Sequence, residues 1–298
     1  MTGFAFLVNP VSGGGAAPGA VVPVARLLRD AGAVVEVTYS PGPHATQELV
    51  AGAVARGATV VAVGGDAMVS SLVGPVARAR GTLGIVPAGR GNDFARVLGV
   101  PPDPAGQAEV LLSGAVRRVD LLALGERLVA GSVYAGVDAS TAALVDRLRR
   151  LPARLQHPWA AVRSLATYQP ARYRVAVDGT VLDVTAATVV VANSACYGQG
   201  MRIAPDASLD DGLLDVVVVG AASRRALVGS LPRVYDGSHI ALPEVTVLRG
   251  SRVELAADAR IPVPVGGDGE PLGALPGLAD EPWVVEVRPA ALRVLTPR

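Results

Sequence analysis

The 298-residue sequence is short of several things whose absence narrows its class. It has one cysteine, Cys196, so an intramolecular disulfide is impossible and a reducing cytoplasm suits the chain. Cys196 itself reads as a small buried apolar side chain. Aromatic residues make up only 4% and the formal net charge is +1, which excludes a broadly basic, aromatic-rich surface for nucleic acid. Any electrostatic contact with a large partner must therefore be local. No apolar run reaches the roughly 20 residues of a membrane-spanning helix, and those at Thr188 to Ala192 and Leu213 to Val219 fall far short. The opening MTGFAFLVNPVSGGG has no basic segment before its apolar run and turns glycine-rich too early for a secretory signal, so Phe4 to Val8 reads as a buried strand. The histidines His44, His157 and His239 have no metal-ligand spacing, and neither an internal repeat nor a low-complexity tract is present.

Half of the residues are hydrophobic, and the length suits two domains with separate cores. Up to about residue 115, short β-branched runs alternate with helix-like stretches, the pattern of a parallel sheet covered on both faces. Strands are expected at Phe4 to Val8, Val34 to Tyr39, Thr59 to Val63 and Leu83 to Val86, with helices over Ala20 to Ala31, Ala45 to Arg56 and Val69 to Arg80. The expected class is α/β: a doubly wound sheet over residues 1–115, followed over residues 116–298 by a mainly β, sandwich-like domain whose C-terminal tail is free to return to the first. In that second part Asp178-Gly179 reads as a two-residue hairpin turn, and helices are expected near Ser140 to Arg150, Trp159 to Tyr168 and Arg224 to Tyr235. The Pro/Gly-dense stretch from Pro262 to Pro276 reads as a functional loop.

Ligands of doubly wound sheets lie at the carboxyl ends of the strands, and three glycine-rich segments fall there. The first, Asn9-Pro10-Val11-Ser12-Gly13-Gly14-Gly15, would let backbone N–H groups approach a phosphate at a helix start, or would serve as a plain flexible turn. It is neither a P-loop nor a dinucleotide fingerprint, since no Lys-Ser/Thr closes it and no G-x-G-x-x-G is present. The second is Gly64-Gly65-Asp66-Ala67-Met68, in which Asp66 suits a metal ion, a substrate proton or a helix N-cap. The third is Pro87-Ala88-Gly89-Arg90-Gly91-Asn92-Asp93-Phe94, where Arg90 is placed to hold phosphate oxygens or to stand exposed in a loop.

Together these segments resemble the nucleotide-binding half of the diacylglycerol kinase catalytic domain, with its pattern NPxSG, GGDGT and PxGTGND. The resemblance continues through Tyr197 to Ala207, Leu209-Asp210-Asp211-Gly212-Leu213-Leu214-Asp215 and Asp268-Gly269-Glu270, in the same order. Sphingosine and ceramide kinases share the pattern. The resemblance implies ATP across Asn9, Pro10, Ser12, Gly13, Gly64, Gly65, Asp66, Ala67, Met68, Gly89, Arg90, Gly91 and Asn92, with Ser40 nearby. It implies catalysis by Asp66 beside the transferring phosphate and by Glu270 as general base. It implies a structural Mg2+ held by Asp211 and the Leu213 carbonyl, with Ser208 adjoining, and a second Mg2+ arriving with ATP. The implied partner is a lipid, diacylglycerol first, met at a membrane surface by a cytoplasmic protein peripheral to the inner face, with a homodimer open. Arg147, Arg149, Arg150 and Arg154, interleaved with Leu148, Leu151 and Leu155, suit anionic headgroups or a solvated helix face.

Three departures stand out against the family pattern. GGDGT is GGDAM, so Met68 lacks the hydroxyl of threonine and Ala67 replaces a glycine, with left-handed backbone strain expected there if the loop keeps the family shape. Ser70 and Ser71 replace an Asn-Glu pair, and Arg90 stands where threonine is usual, its charge offering compensation.

Overall fold

A computed structural model describes residues 3–10, 12–39, 43–147, 153–258 and 262–298. Ser40, Leu148, Arg149, Arg150 and Leu151 lie outside these, as do the side chains of His44, Arg147, Arg154 and His157. The chain divides into two compact units, Met1–Asp120 with Pro289–Arg298, and Leu121–Arg288.

In the first unit the elements run β1 (Gly3–Val8), α1 (Ala17–Asp30), β2 (Val34–Tyr39), α2 (Pro43–Ala55), β3 (Thr59–Gly64), α3 (Asp66–Arg78), β4 (Thr82–Pro87), α4 (Asp93–Val97) and α5 (Pro104–Ser113). The four strands are parallel in the order β2-β1-β3-β4. β1, β3 and β4 are apolar almost throughout because helices cover both faces, whereas the edge strand β2 leaves Val34, Val37 and Tyr39 exposed. Phe4, Phe6, Val8, Val61 and Val63 pack with Val21, Val24 and Leu28 of α1 in one core. The connection from β1 runs outward to β2 and then back across to β3, so the strand order reverses between β1 and β3, where such sheets bind ligands.

The helices begin earlier than the sequence pattern suggests. Pro18 sits in the first turn of α1, where its missing N–H costs nothing, and Asp66 opens α3, where a carboxylate favours the helix dipole. Ala67 is therefore an ordinary helical residue, and the left-handed strain expected of it does not occur: it is not among the residues with positive φ.

A strand β5 (Ala115–Leu124) leads from the first unit into the second, which holds β6 (Arg127–Val129), β7 (Ser132–Gly136), α6 (Val137–Arg147), α7 (Ala153–Thr167), β8 (Ala171–Val177), β9 (Thr180–Ala192), β10 (Leu214–Gly220), α8 (Arg224–Asp236), β11 (Val245–Gly250), β12 (Arg252–Asp258), β13 (Pro264–Gly267), β14 (Glu270–Ala274) and the first part of β15 (Trp283–Thr296). The pairing here is antiparallel. The first half of β9 pairs with β8 and has one solvated face; its second half lies between β7 and β10 and is buried on both. Val189 and Val191 enter one core and Val190 and Ala192 another, which is why the sequence there is an unbroken apolar run. Asp178 and Gly179, at φ 45° and 86°, join β8 to β9 as the expected two-residue turn. The Pro262 to Pro276 stretch is not a loop: it holds the β13–β14 hairpin, turned at Asp268-Gly269 with φ 47° and 88°.

Candidate functional site

In the first unit the three glycine-rich segments are bonded into one shelf. Asn9 donates its backbone N–H to the Val63 carbonyl at 3.3 Å, which sets the loop after β1 beside the end of β3. Ser12 Oγ accepts from the Gly65 N–H at 2.9 Å, and the Ala88 N–H donates to the Gly64 carbonyl at 2.8 Å. Asn92, itself left-handed at φ 54°, accepts from the Gly89 N–H at 2.9 Å and donates to the Gly89 carbonyl at 3.1 Å, closing the third loop upon itself. Asp66 Oδ1 accepts from the Phe94 N–H at 3.2 Å and ties the second loop to α4.

Glycine is required where these loops meet. A Cβ on Gly13, whose φ is 61°, would lie 2.2 Å from the Ala88 carbonyl oxygen. A Cβ on Gly89 would lie 2.2 Å from Gly65 Cα, and one on Gly64 would lie 2.8 Å from Met68 Cβ. The result is a side-chain-poor surface at the switch point, rimmed by Asn9, Ser12, Asp66 and the exposed Arg90, which fits a phosphate chain. Met68 is turned into the core at 3% exposure, so its thioether adds nothing to that surface. The sequence contains no lysine, and all 27 of its permanently cationic side chains are arginine.

The second unit holds Glu270, exposed at the first position of β14 and paired with Gly267 across the hairpin. The turn that presents it is clamped. Asp268 accepts backbone N–H bonds from Ala130 at 2.9 Å, Gly131 at 3.0 Å and Ser132 at 2.9 Å, while the Gly269 N–H donates to Tyr134 Oη at 2.9 Å. Burial raises the Tyr134 phenol above its ordinary pKa, so it stays protonated, and its ring packs 5.8 Å from that of Tyr197. Sequence reasoning missed Asp268 and Tyr134 as supports of Glu270. The sequence carried no signal of this clamp, because Gly131, where an added Cβ would lie 2.7 Å from Asp268 Oδ1, is 137 residues away along the chain.

The implied metal set does not fit a divalent ion as it stands. One Asp211 oxygen accepts from the Leu213 N–H at 3.0 Å, and the other is ion-paired with Arg249. Ser208 Oγ donates instead to Asp210 at 3.0 Å. Among the described residues no group of three or more His, Cys, Asp or Glu side chains suits a metal ion, and no helix is long and apolar enough to cross a membrane.

The architecture is an α/β unit with a glycine shelf at its switch point, followed by a β-sandwich-like unit. Residues 3–124 match the model of the diacylglycerol kinase catalytic domain, and residues 131–296 match that of the YegS C-terminal NAD kinase beta sandwich-like domain. A "Diacylglycerol kinase" of Mycobacterium tuberculosis (strain ATCC 25618 / H37Rv) is 33% identical over 98% of this chain and 94% of its own length. A "Probable lipid kinase YegS-like" of Pseudomonas aeruginosa (strain UCBPP-PA14) is 30% identical over 88% of this chain and 84% of its own. The crystal structure of a diacylglycerol kinase from Bacillus anthracis str. Sterne shares the fold with a TM-score of 0.72 at 18% identity, covering 99% of this chain and 96% of that one. The chain belongs to the diacylglycerol kinase family of ATP-dependent lipid kinases, phosphotransferases with an alcohol acceptor.

Proposed function

We propose that the chain phosphorylates diacylglycerol to phosphatidic acid. The observation that carries this reading is the shelf in which Ser12, Gly65, Gly89 and Asn92 are bonded together at the reversal of strand order. Bound Mg-ATP supplies the phosphoryl group and the cation that neutralises its oxygens. Asn9, Pro10, Ser12, Gly13, the Gly64 to Met68 segment and the Gly89 to Asn92 segment hold the nucleotide, with Arg90 on its outer phosphates, and Asp66 orients the reacting groups. Glu270 takes the proton from the lipid hydroxyl as that oxygen bonds to the γ-phosphorus and the bond to the ADP oxygen breaks. The carboxylate suits this task because Asp268 and Tyr134 fix the turn behind it and leave it exposed to an acceptor.

Two features of the second unit support a lipid met at a bilayer. A cavity of about 740 Å3 lies between α6, α7 and the start of β8, walled by Val137, Leu144 and Val263 and by polar groups such as Thr167, Arg172 and Asp258. On α7, Leu155, Trp159 and Val162 form an exposed apolar stripe at i, i+4 and i+7, with the Arg163 guanidinium 5.4 Å from the Trp159 ring centre. Aromatic and aliphatic side chains edged by arginine suit the headgroup boundary of an anionic membrane.

The test incubates the protein with labelled ATP, Mg2+ and a total lipid extract and identifies the labelled product by mass. Phosphatidic acid is the expected product. A labelled sphingolipid would move the acceptor to another lipid, and turnover with NAD alone would end the lipid reading.

A further inference from the structure

The Asp211 turn carries a cation of its own. Arg249 lies on β11 directly across from Asp215 on β10, so the β-register delivers its guanidinium to this place. Arg249 Nε stands 3.6 Å from Asp215 Oδ2, and Nη2 is ion-paired with Asp211 Oδ2. Asp215 has a side chain only 6% exposed, so its carboxylate meets Arg249 largely out of solvent. Two carboxylates, Asp211 and Asp215, therefore share one guanidinium. The planar fork of arginine can address two carboxylates at once, which an ammonium, a point charge, does less well. Gly212, at φ 74°, bends the chain so that Asp211 comes back toward β11 while its second oxygen accepts from the Leu213 N–H at 3.0 Å.

We infer that Arg249 takes the place of a divalent metal at this turn, binding Asp211 to Asp215 so that the second unit holds its shape without a structural ion. Mg2+ demands near-octahedral oxygen ligands at about 2.0–2.1 Å. A guanidinium on the Asp211 oxygen both uses the lone pair such an ion needs and repels it. The nucleotide's own Mg2+ is a separate matter, and this inference stands whether or not the lipid reading holds, because its test uses neither nucleotide nor lipid.

The experiment measures Tm of the full chain in EDTA and in millimolar MgCl2 or CaCl2, for the wild type, Arg249→Ala and Arg249→Lys. Wild-type Tm is expected to be the same in all three solutions. Arg249→Ala is expected to melt several degrees lower in EDTA and to recover part of the loss with either metal. Arg249→Lys, which keeps the charge but not the fork, is expected to fall between and covers the case in which the alanine variant does not fold. A wild-type Tm that climbs with Mg2+, a variant as stable as the wild type in EDTA, or an Arg249→Ala loss that neither metal relieves would each overturn the inference.

Discussion

Gly89 and Gly65 stand back to back in the first unit, so close that a Cβ on Gly89 would lie 2.2 Å from Gly65 Cα. The contact is backbone against backbone, and no side-chain rotation relieves it. Gly89→Ala should therefore push the second and third loops apart, costing about 1–3 kcal/mol of stability and most of the ATP affinity. Gly19→Ala is the control: Gly19 lies in α1 with nothing within 4 Å of an added Cβ, so alanine should be neutral or stabilising by up to about 1 kcal/mol. Thermal melts and ATP titration of both variants provide the comparison. Equal behaviour of the two would contradict the packing argument.

Ala67 gives the opposite expectation from the family pattern. As the second residue of α3 it has ordinary helical backbone, so Ala67→Gly relieves nothing and loosens the first turn. Stability should fall by up to about 1 kcal/mol, with ATP affinity unchanged or lower. A gain in affinity would show that the methyl group crowds the nucleotide.

The order of strands and helices in the first unit was legible because it is written locally. Continuous apolar runs at β1, β3 and β4 marked strands buried on both faces, and Asp178-Gly179 marked a turn that needs positive φ at both positions. Most helix starts were misread by two to six residues, by three at α1, whose first turn holds Pro18. The glycine loops pointed to a phosphate site, but their mutual bonds did not show in the sequence. Ser12 and Gly65 are 53 residues apart, and Asp66 and Phe94 are 28 apart. Asp268 and Arg249 were missed for the same physical reason: the clamp on Ala130 to Ser132 and the pairing with Asp215 exist only once strands have taken their register.

Arg90 is exposed in the middle of the third strand-to-helix segment, in a chain that has no lysine to share its task. Arg90→Ala should weaken ATP by about three- to tenfold, the size of one charge-assisted hydrogen bond discounted for solvent. AMP should lose much less, since the proposed contact is with the outer phosphates. Isothermal titration with both nucleotides measures the split, and equal losses would place the guanidinium elsewhere.

Asp138 provides a pH prediction independent of the nucleotide. Burial raises its carboxyl above the ordinary 3.8, although Thr188 Oγ1 donates to it at 2.7 Å and Tyr197 also bonds to it. The folded state thus holds this proton more tightly than the unfolded chain. Its contribution to stability is complete below about 3.8 and is lost as pH rises through the higher folded value. Asp138→Asn stays neutral throughout, so the Tm of the variant minus that of the wild type should climb as pH goes from acid toward neutral. A difference that stays flat across that range would mean that the carboxyl titrates normally in the folded protein.

Glu270 and its neighbour Asp268 separate chemistry from support. Glu270 is exposed and makes its case through position, so Glu270→Gln keeps the shape of the turn and removes only the ability to accept a proton. kcat should fall by about 10²–10⁴-fold, with Tm and ATP affinity nearly unchanged. Asp268 instead accepts N–H bonds from three successive residues, and Asp268→Asn replaces a two-oxygen acceptor by one oxygen and a donor facing donors. That variant should lose Tm as well as kcat, because part-buried N–H groups are left without acceptors at roughly 1–3 kcal/mol each. Steady-state kinetics beside thermal melts distinguish the two. Full turnover in Glu270→Gln would remove the residue from the reaction, whatever Asp268 does for the fold.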